Sequence, residues 1–135
     1  MITKHSHTCV YVTDHDRARA FYVDKLGFEV RDDVRMGEFR WLTVGPKAQP
    51  DACIALMLVV PGPRLTPAQC EQLRDLLAAG VLSGGVLDTD DCRRDHEELV
   101  AKGVAFERGP EDRPYGIEAL MRDDSGNYYS LTQRR

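Results

Sequence analysis

The stretch that decides the fold is T-D-H-D-R-A-R-A-F-Y-V-D-K-L-G-F-E-V at residues 13–30, because residues 89–106 repeat its pattern as T-D-D-C-R-R-D-H-E-E-L-V-A-K-G-V-A-F. Matching positions keep one offset of 76 residues, as in Thr13 and Thr89 (89 − 13) and in Gly27 and Gly103 (103 − 27). A repeat at a fixed offset indicates a duplicated structural unit. A chain of 135 residues has room for only two copies. The sequence therefore predicts two equivalent modules, with a site, if there is one, between them.

Each copy carries the signals of one helix. Asp14 in the first copy and Asp90 in the second are predicted to cap the helix N-terminus, because an aspartate oxygen can accept the free N–H groups of the first turn. Gly27 and Gly103 are predicted to end the two helices, since glycine adopts the left-handed conformation found after many helices. The helices are thus predicted between these positions.

Alternating and continuous apolar runs around these helices predict strands. The first module, residues 5–60, is predicted as strand, helix and three more strands, and the second module, residues 83–133, repeats this plan. Residues 61–82 form a linker with its own helix, because Thr66, Pro67 and Gln69 make a helix-start pattern with a capping box. The predicted strands lie at 7–12, 28–34, 39–44, 52–60, 85–88, 104–108, 117–122 and 128–132. A tight turn is predicted at Asp124–Asn127, and loops are predicted at Gly45–Asp51 and Gly109–Tyr115.

The composition is that of a globular protein, with 42% hydrophobic and 30% charged residues and a net charge of −4. No basic stripe is available to neutralise phosphates, so we expect no nucleic-acid partner. No apolar run reaches the ~18 residues typical of a membrane span, and Met1–His5 lacks a signal-peptide pattern. The four cysteines show no C-x-x-C spacing, which favours free thiols in a reducing compartment. We therefore expect a cytoplasmic protein with no membrane partner.

Three motifs carry a resemblance to a known family. They are H-T-C-V-Y-V-T-D at His7–Asp14, F-Y-V-D-K-L-G-F at Phe21–Phe28 and P-Y-G-I-E-A-L-M-R-D-D-S-G-N at Pro114–Asn127. With the duplicated plan, they resemble the vicinal oxygen chelate superfamily, which includes glyoxalase I, extradiol dioxygenases, fosfomycin-resistance transferases and bleomycin-resistance proteins. The resemblance implies an α+β fold in which residues 1–135 form one domain, with two tandem βαβββ modules around a half-open, barrel-like cleft.

Metal-dependent members of this superfamily hold the ion at four positions, two in each module. The resemblance places them on His7, on Ala55, on Ser83 or Gly84, and on Ser130. Alanine and glycine offer no side-chain ligand, and a serine hydroxyl is a poor ligand for divalent transition metals. Because a catalytic zinc site usually has three protein ligands, we expect neither a bound metal nor another cofactor.

The side chains expected to face the cleft are instead small, aromatic or sulfur-containing. Such a surface suits a flat, largely apolar molecule, although the same side chains could simply fill the cleft as core. No catalytic residue is assigned. The predicted ligand-binding residues are His7, Cys9, Tyr11, Phe39, Trp41, Ala55, Met57, Tyr115, Tyr128 and Ser130.

These features predict a metal-independent binding protein of the bleomycin-resistance type, which sequesters an aromatic or apolar natural product. The resemblance also implies a homodimer with clefts near the subunit interface. The alternative is an enzyme of the same superfamily, a lyase, isomerase or dioxygenase, that uses His7 as a metal ligand or as a base. A domain with a filled cleft and no ligand is the third interpretation.

Overall fold

The computed structural model describes all 135 residues, and the chain divides into two compact units, Met1–Gln72 and Leu73–Arg135. The first unit contains the first βαβββ module. The elements of this module are β1 (His7–Val12), α1 (His15–Ala20), β2 (Glu29–Met36), β3 (Phe39–Gly45) and β4 (Cys53–Leu58). Its sheet has the strand order β1-β4-β3-β2, with β1 parallel to β4 and the other neighbours antiparallel.

The first helix begins and ends where the sequence predicts. The side chain of Asp14 accepts a hydrogen bond of 2.8 Å from the backbone N–H of Arg17, and Gly27 has a φ of 75° after the helix. Between these points the helix changes its winding, because α1 is followed by a π-helical turn at Phe21–Lys25. A π-turn holds one more residue than an α-turn and is found frequently at functional sites.

The second module repeats the same order of elements. Its sheet has the strand order β5-β8-β7-β6, with β5 parallel to β8 and the other neighbours antiparallel. A helix, α2 (Pro67–Ala79), joins the modules, and the division between the two units falls within it. The elements of the second module are β5 (Ser83–Asp88), α3 (Cys92–Ala101), β6 (Phe106–Arg113), β7 (Gly116–Arg122) and β8 (Tyr128–Arg134). The predicted α+β fold with two tandem βαβββ modules is thus confirmed.

The predicted helix caps of the linker and the second module have the right type, but one of them is at the wrong residue. At α2, Thr66 and Gln69 form the predicted capping box, with reciprocal hydrogen bonds of 2.9 and 3.1 Å. At α3, the prediction of Asp90 as the cap was wrong by one residue, since Asp91 accepts the N–H of Arg94 at 3.0 Å. The hydroxyl of Thr89 accepts the backbone N–H of Asp91. This hydrogen bond holds the chain so that the helix starts one residue later than predicted.

The largest error lies in the sixth strand. Residues 109–113, predicted as part of a loop, continue β6 up to Arg113. The pairing of β6 with β7 shifts register twice, between Phe106 and Arg108 and again between Arg108 and Glu111. Such bulges let an antiparallel pair continue past residues that do not fit the ladder, among them Gly109 and Pro110.

The turn before the last strand depends on a residue just outside the predicted Asp124–Asn127 segment. A carboxylate oxygen of Asp123 accepts backbone N–H groups of Ser125, Gly126 and Asn127, each at 2.9 Å. One buried carboxylate therefore satisfies three backbone donors, which holds the turn rigid and starts β8 at a defined residue.

Candidate functional site

The candidate surface in each module is the sheet face turned away from the helix. In the first module, Val10, Leu42 and Leu56 are buried on the face that α1 covers. The ring Nε2 of His15 bonds to the carbonyl oxygen of Leu56 at 2.8 Å and ties α1 to the sheet. Because side chains alternate along a strand, the neighbouring residues point to the other side. We call this other side the distal face, in each module.

The distal face of the first sheet is dominated by aromatic, sulfur-containing and small side chains. Its members follow from the pairing register, in which His7 lies beside Cys53, Cys9 beside Ala55 and Tyr11 beside Met57. Strands β2 and β3 extend the same face. It consists of His7, Cys9, Tyr11, Asp32, Val34, Met36, Phe39, Trp41, Thr43, Cys53, Ala55 and Met57.

An aromatic pair and two exposed apolar side chains distinguish this face. The rings of His7 and Trp41 lie 5.4 Å apart between centroids at an angle of 56°. Phe39 and Met36 are cross-strand partners, and they remain 46% and 59% exposed. Large apolar side chains left in water beside one another are typical of binding surfaces.

The distal face of the second sheet is polar by comparison. The register places Leu120 beside Ser130 and Glu118 beside Thr132. On the neighbouring strands, Arg108 pairs with Leu120, and Val86 pairs with Ser130. The residues of this face that concern the site are Val86, Arg108, Glu118, Leu120, Tyr128, Ser130 and Thr132.

Glu118 is the centre of a chain of hydroxyl groups on this second face. One of its carboxylate oxygens accepts the hydroxyl of Tyr115 at 2.7 Å, and the other accepts the hydroxyl of Ser130 at 2.6 Å. The oxygens of Ser130 and Thr132 are also 2.6 Å apart. Since Ser130 gives its single proton to Glu118, Thr132 is the donor to Ser130. Arg108 forms an ion pair with Glu118 at 3.7 Å.

These contacts shift the pKa values of Glu118 and Tyr115. The hydrogen bond from Ser130 is the main cause that lowers the pKa of Glu118, with the hydroxyl of Tyr115 and the charge of Arg108 adding to it. The hydrogen bond to Glu118 is also the main cause that raises the pKa of Tyr115. Glu118 is therefore ionised and Tyr115 is protonated at neutral pH, which keeps the donor and acceptor roles fixed.

Gly84 and Gly85 are required by the packing and the conformation of the backbone. A Cβ atom at Gly84 would lie 2.5 Å from Cε2 and 2.7 Å from Cε1 of the buried Tyr129 ring. Gly85 has a φ of 127° at the register shift in β5, a conformation open to glycine. At Gly84, one of the two candidates for the third metal position, the absence of a side chain leaves room for the Tyr129 ring.

The side chains of this chain do not form a metal site. No group of three or more His, Cys, Asp or Glu side chains is placed to hold an ion. The Nδ1 of His7 instead bonds to the hydroxyl of Ser6 at 2.8 Å, and the register puts Cys9 beside Ala55. Ser130 is engaged by Glu118 and Thr132. The residues present therefore do not fit the four-ligand arrangement that the fold permits.

The predicted ligand-binding residues fall into two groups, and their binding role stays a prediction. All seven from the first module lie on its distal face, and two from the second module, Tyr128 and Ser130, lie on the distal face there. The tenth, Tyr115, lies in the turn between β6 and β7 and reaches that face through Glu118.

The sequence analysis missed Glu118 and Met36. Alternation along the strand places Glu118 with Leu120, but only the pairing register shows that both share the face of Ser130. Met36 falls two residues beyond the predicted end of its strand, and the observed β2 includes it.

Comparison with known families agrees with this geometry. Residues 4–131 match the family described as Glyoxalase/Bleomycin resistance protein/Dioxygenase superfamily. The chain belongs to this superfamily. The matched range includes strands of both modules. No helix of the structure is both long and apolar enough to cross a membrane.

Two solved structures and one bacterial protein are similar to this chain. The crystal structure of UcmS2 is 47% identical with a TM-score of 0.92, covering 98% of each chain. TnmS3, an antibiotic binding protein from Streptomyces sp. CB03234, is 32% identical with a TM-score of 0.77, covering 99% of this chain and 98% of its own. The uncharacterized protein YurT of Bacillus subtilis (strain 168) is 31% identical over 94% of this chain and 96% of its own length.

Proposed function

We propose that this chain is a small-molecule binding protein that sequesters a flat, largely apolar antibiotic or a related natural product. The observation that carries the proposal is the distal face of the first sheet, where the His7–Trp41 ring pair adjoins the exposed Phe39 and Met36. Aromatic rings bind flat molecules by stacking, and methionine adapts its shape to irregular ones. The face is thus suited to binding by burial of apolar surface.

The relative TnmS3 supports the ligand class. It is an antibiotic binding protein, and it shares 32% of its residues with this chain over almost the full length of both. Fold alone does not give function, so the argument needs the face as well as the relative. The face supplies stacking and apolar contacts without a metal-binding set of side chains, which favours sequestration.

The test uses Trp41, which is the single tryptophan of the chain. Purified protein is titrated with a panel of polycyclic aromatic antibiotics, and quenching of tryptophan fluorescence reports binding at this face. Calorimetry then compares the wild-type protein with Trp41→Ala and with Val100→Ala, a control that truncates an exposed apolar side chain on α3. We expect Trp41→Ala to weaken binding about tenfold or more, as for an aromatic hot spot. Equal affinities of the three proteins would contradict the proposal.

The same titration separates binding from catalysis. A sequestered ligand is recovered unchanged after incubation, and mass spectrometry of the mixture measures this. An enzyme that uses His7 as a base is the alternative, and it would convert the ligand at a rate that His7→Ala abolishes. We expect unchanged ligand with both proteins.

We also propose that the protein is a homodimer, as in the bleomycin-resistance members that it resembles. Light scattering coupled to size-exclusion chromatography measures the mass directly, and a mass of about twice that of the chain is expected. A monomer that binds the ligand with full affinity would overturn the dimer while leaving the binding proposal intact.

A further inference from the structure

We infer that Glu118 is a specificity-determining residue that accepts a hydrogen bond from a neutral hydroxyl group of an aromatic ligand. The inference rests on the proposed function, because it names the chemical group by which a bound aromatic molecule is selected. Its evidence is separate from the aromatic face of the first sheet and comes from the distal face of the second.

Glu118 has acceptor capacity that the protein does not use. An ionised carboxylate offers about four lone-pair positions. Two are occupied by the hydroxyl groups of Tyr115 and Ser130, while the closest nitrogen of Arg108 stands 3.7 Å away, beyond normal hydrogen-bond length. Acceptor positions are therefore left on a carboxylate whose side chain is only 15% exposed.

The surrounding hydroxyl groups fix the direction of these acceptor positions. Thr132 donates to Ser130, and Ser130 donates to Glu118, while both hydroxyl residues are themselves buried. Tyr115 holds the opposite oxygen from the turn before β7. A carboxylate held from two sides cannot rotate without losing hydrogen bonds, so it is preorganised for a third donor.

The neighbouring charges favour a neutral donor over a cation. Arg108 already forms an ion pair with Glu118 at 3.7 Å, and its charge adds to the lowering of the Glu118 pKa. An ammonium group would be repelled by Arg108 and would lose its strong hydration on binding. A neutral hydroxyl group avoids this repulsion and has a smaller desolvation penalty.

The groups around Glu118 favour a hydroxyl carried on an aromatic ring. Val86 is 67% exposed on the same face, and Leu120 is half-buried next to Ser130. Tyr115 is also half-exposed beside the carboxylate that it binds. These groups fit a phenol. The apolar surface and the tyrosine ring would bury the phenol ring, and the Glu118 carboxylate would accept a hydrogen bond from the phenol hydroxyl.

The test is a matched set of probes measured by calorimetry on the full-length protein. Naphthol carries a neutral hydroxyl, methoxynaphthalene carries the same ring without a donor, and naphthylmethylamine carries an ammonium group. We expect naphthol to bind about tenfold more tightly than methoxynaphthalene, the range of one hydrogen bond to a charged group. Glu118→Gln should reduce this preference to about twofold or less, whereas Glu97→Gln, the same change on an exposed position of α3, should leave it unchanged.

The ratio between probes separates this inference from the proposed function and from loss of folding. If methoxynaphthalene binds but Glu118→Gln keeps the full preference for naphthol, the role of Glu118 is wrong and the proposed function stands. Tighter binding of naphthylmethylamine than of naphthol would also overturn the inference. If none of the three probes binds the wild-type protein, both proposals fail. Ser130→Ala, which removes one support of the carboxylate, should lower the preference in the same direction as Glu118→Gln.

Discussion

The two modules share a scaffold but differ on their distal faces. In the first, the face carries Trp41, Phe39 and Met57, while in the second the corresponding side of the sheet carries Glu118 and Ser130. Strand order corresponds in the two modules, and each helix begins at an aspartate cap. The comparison shows that the residues that set the fold were kept after duplication, and that the chemistry of the distal faces was free to diverge.

The helices show one further difference. From cap to terminating glycine the first module has 13 steps (27 − 14) and the second has 12 (103 − 91). The first module accommodates the additional residue in the π-turn at Phe21–Lys25. A π-turn is a known way for a helix to take up one inserted residue without changing its ends. The offset of the repeat thus changes from 77 at the caps to 76 at the glycines.

The largest effect is expected where the second module has lost a side chain. Thr8 stands 76 residues before Gly84 (84 − 8), so the first module tolerates a side chain there. In the second, a methyl group at Gly84 would overlap the buried Tyr129 ring. Gly84→Ala should lower the free energy of unfolding by about 3 kcal/mol through overpacking, as measured by urea denaturation.

Gly109→Ala is the matched control for this substitution. The nearest atoms to a Cβ at Gly109 belong to His96, at 3.7 Å, an ordinary contact distance. We expect a change within about 0.5 kcal/mol for this variant. Equal destabilisation by both alanines would show that Tyr129 does not require a glycine at position 84.

The second prediction compares two arginines that each bind two aspartates. Arg40 bonds to Asp33 and Asp16 between 2.7 and 2.9 Å and is only 8% exposed, while Arg94 bonds to Asp90 and Asp95 and is 49% exposed. Arg40→Ala leaves the partly buried carboxylate of Asp33, which is 26% exposed, without its donor, and this should cost about 2 kcal/mol. Arg94→Ala should have a much smaller effect, because exposed ion pairs contribute little to stability.

Urea denaturation of the two variants side by side provides the measurement. The result tests whether ion pairing stabilises the first module more than the second. If Arg94→Ala were the more damaging substitution, burial would not be the property that decides the strength of these pairs.

The sequence predicted the scaffold well because its signals are local. A cap such as Asp14, a glycine such as Gly27 and the capping box of Thr66 act within one turn of the chain, so spacing alone reveals them. The error at Asp90 arose because two aspartates stand side by side and the choice between them depends on Thr89. Local patterns therefore predict that a helix is present, but they leave the position of its cap uncertain by one residue.

The candidate site was harder to predict because it depends on pairing between distant strands. Alternation alone groups Phe39 with Trp41, but the meeting of Glu118 with Ser130 depends on the register of β7 against β8. The extension of β6 through Gly109 and Pro110 depends on two bulges, and neither residue favours a strand on its own. Residues that share a face of a single strand were thus grouped correctly from the sequence. Glu118 was missed because its position beside Ser130 depends on the register between two strands.

The third prediction tests whether the helix caps are equivalent. Asp14 and Asp91 each accept a backbone N–H three residues on, at 2.8 and 3.0 Å. Each should lose about 1 kcal/mol of stability on substitution by alanine. Chemical denaturation of Asp14→Ala and Asp91→Ala measures both. A difference of more than about twofold between them would show that the π-turn of the first helix changes what its cap contributes.

The last prediction concerns the loss of stability in acid. The hydrogen bond from Arg40 is the main cause that lowers the pKa of Asp33 in the folded protein. Unfolded aspartate titrates near pH ~4, so the folded state holds the proton less tightly than the unfolded state. The resulting stabilisation is fully present above that pH and is lost as the pH falls through the lowered pKa of the folded state.

Substituting Asp33 should therefore matter at neutral pH and not in acid. We expect Asp33→Asn to cost about 1 kcal/mol near neutral pH, with the difference from wild type shrinking steadily below pH ~4. Urea denaturation across this pH range measures it, and Asp51→Asn, at an exposed loop position, is the control for loss of a charge alone. A difference that stayed constant down to the acid end would mean that Asp33 stabilises the first module through packing, since only its charged form can bind Arg40 as an ion pair.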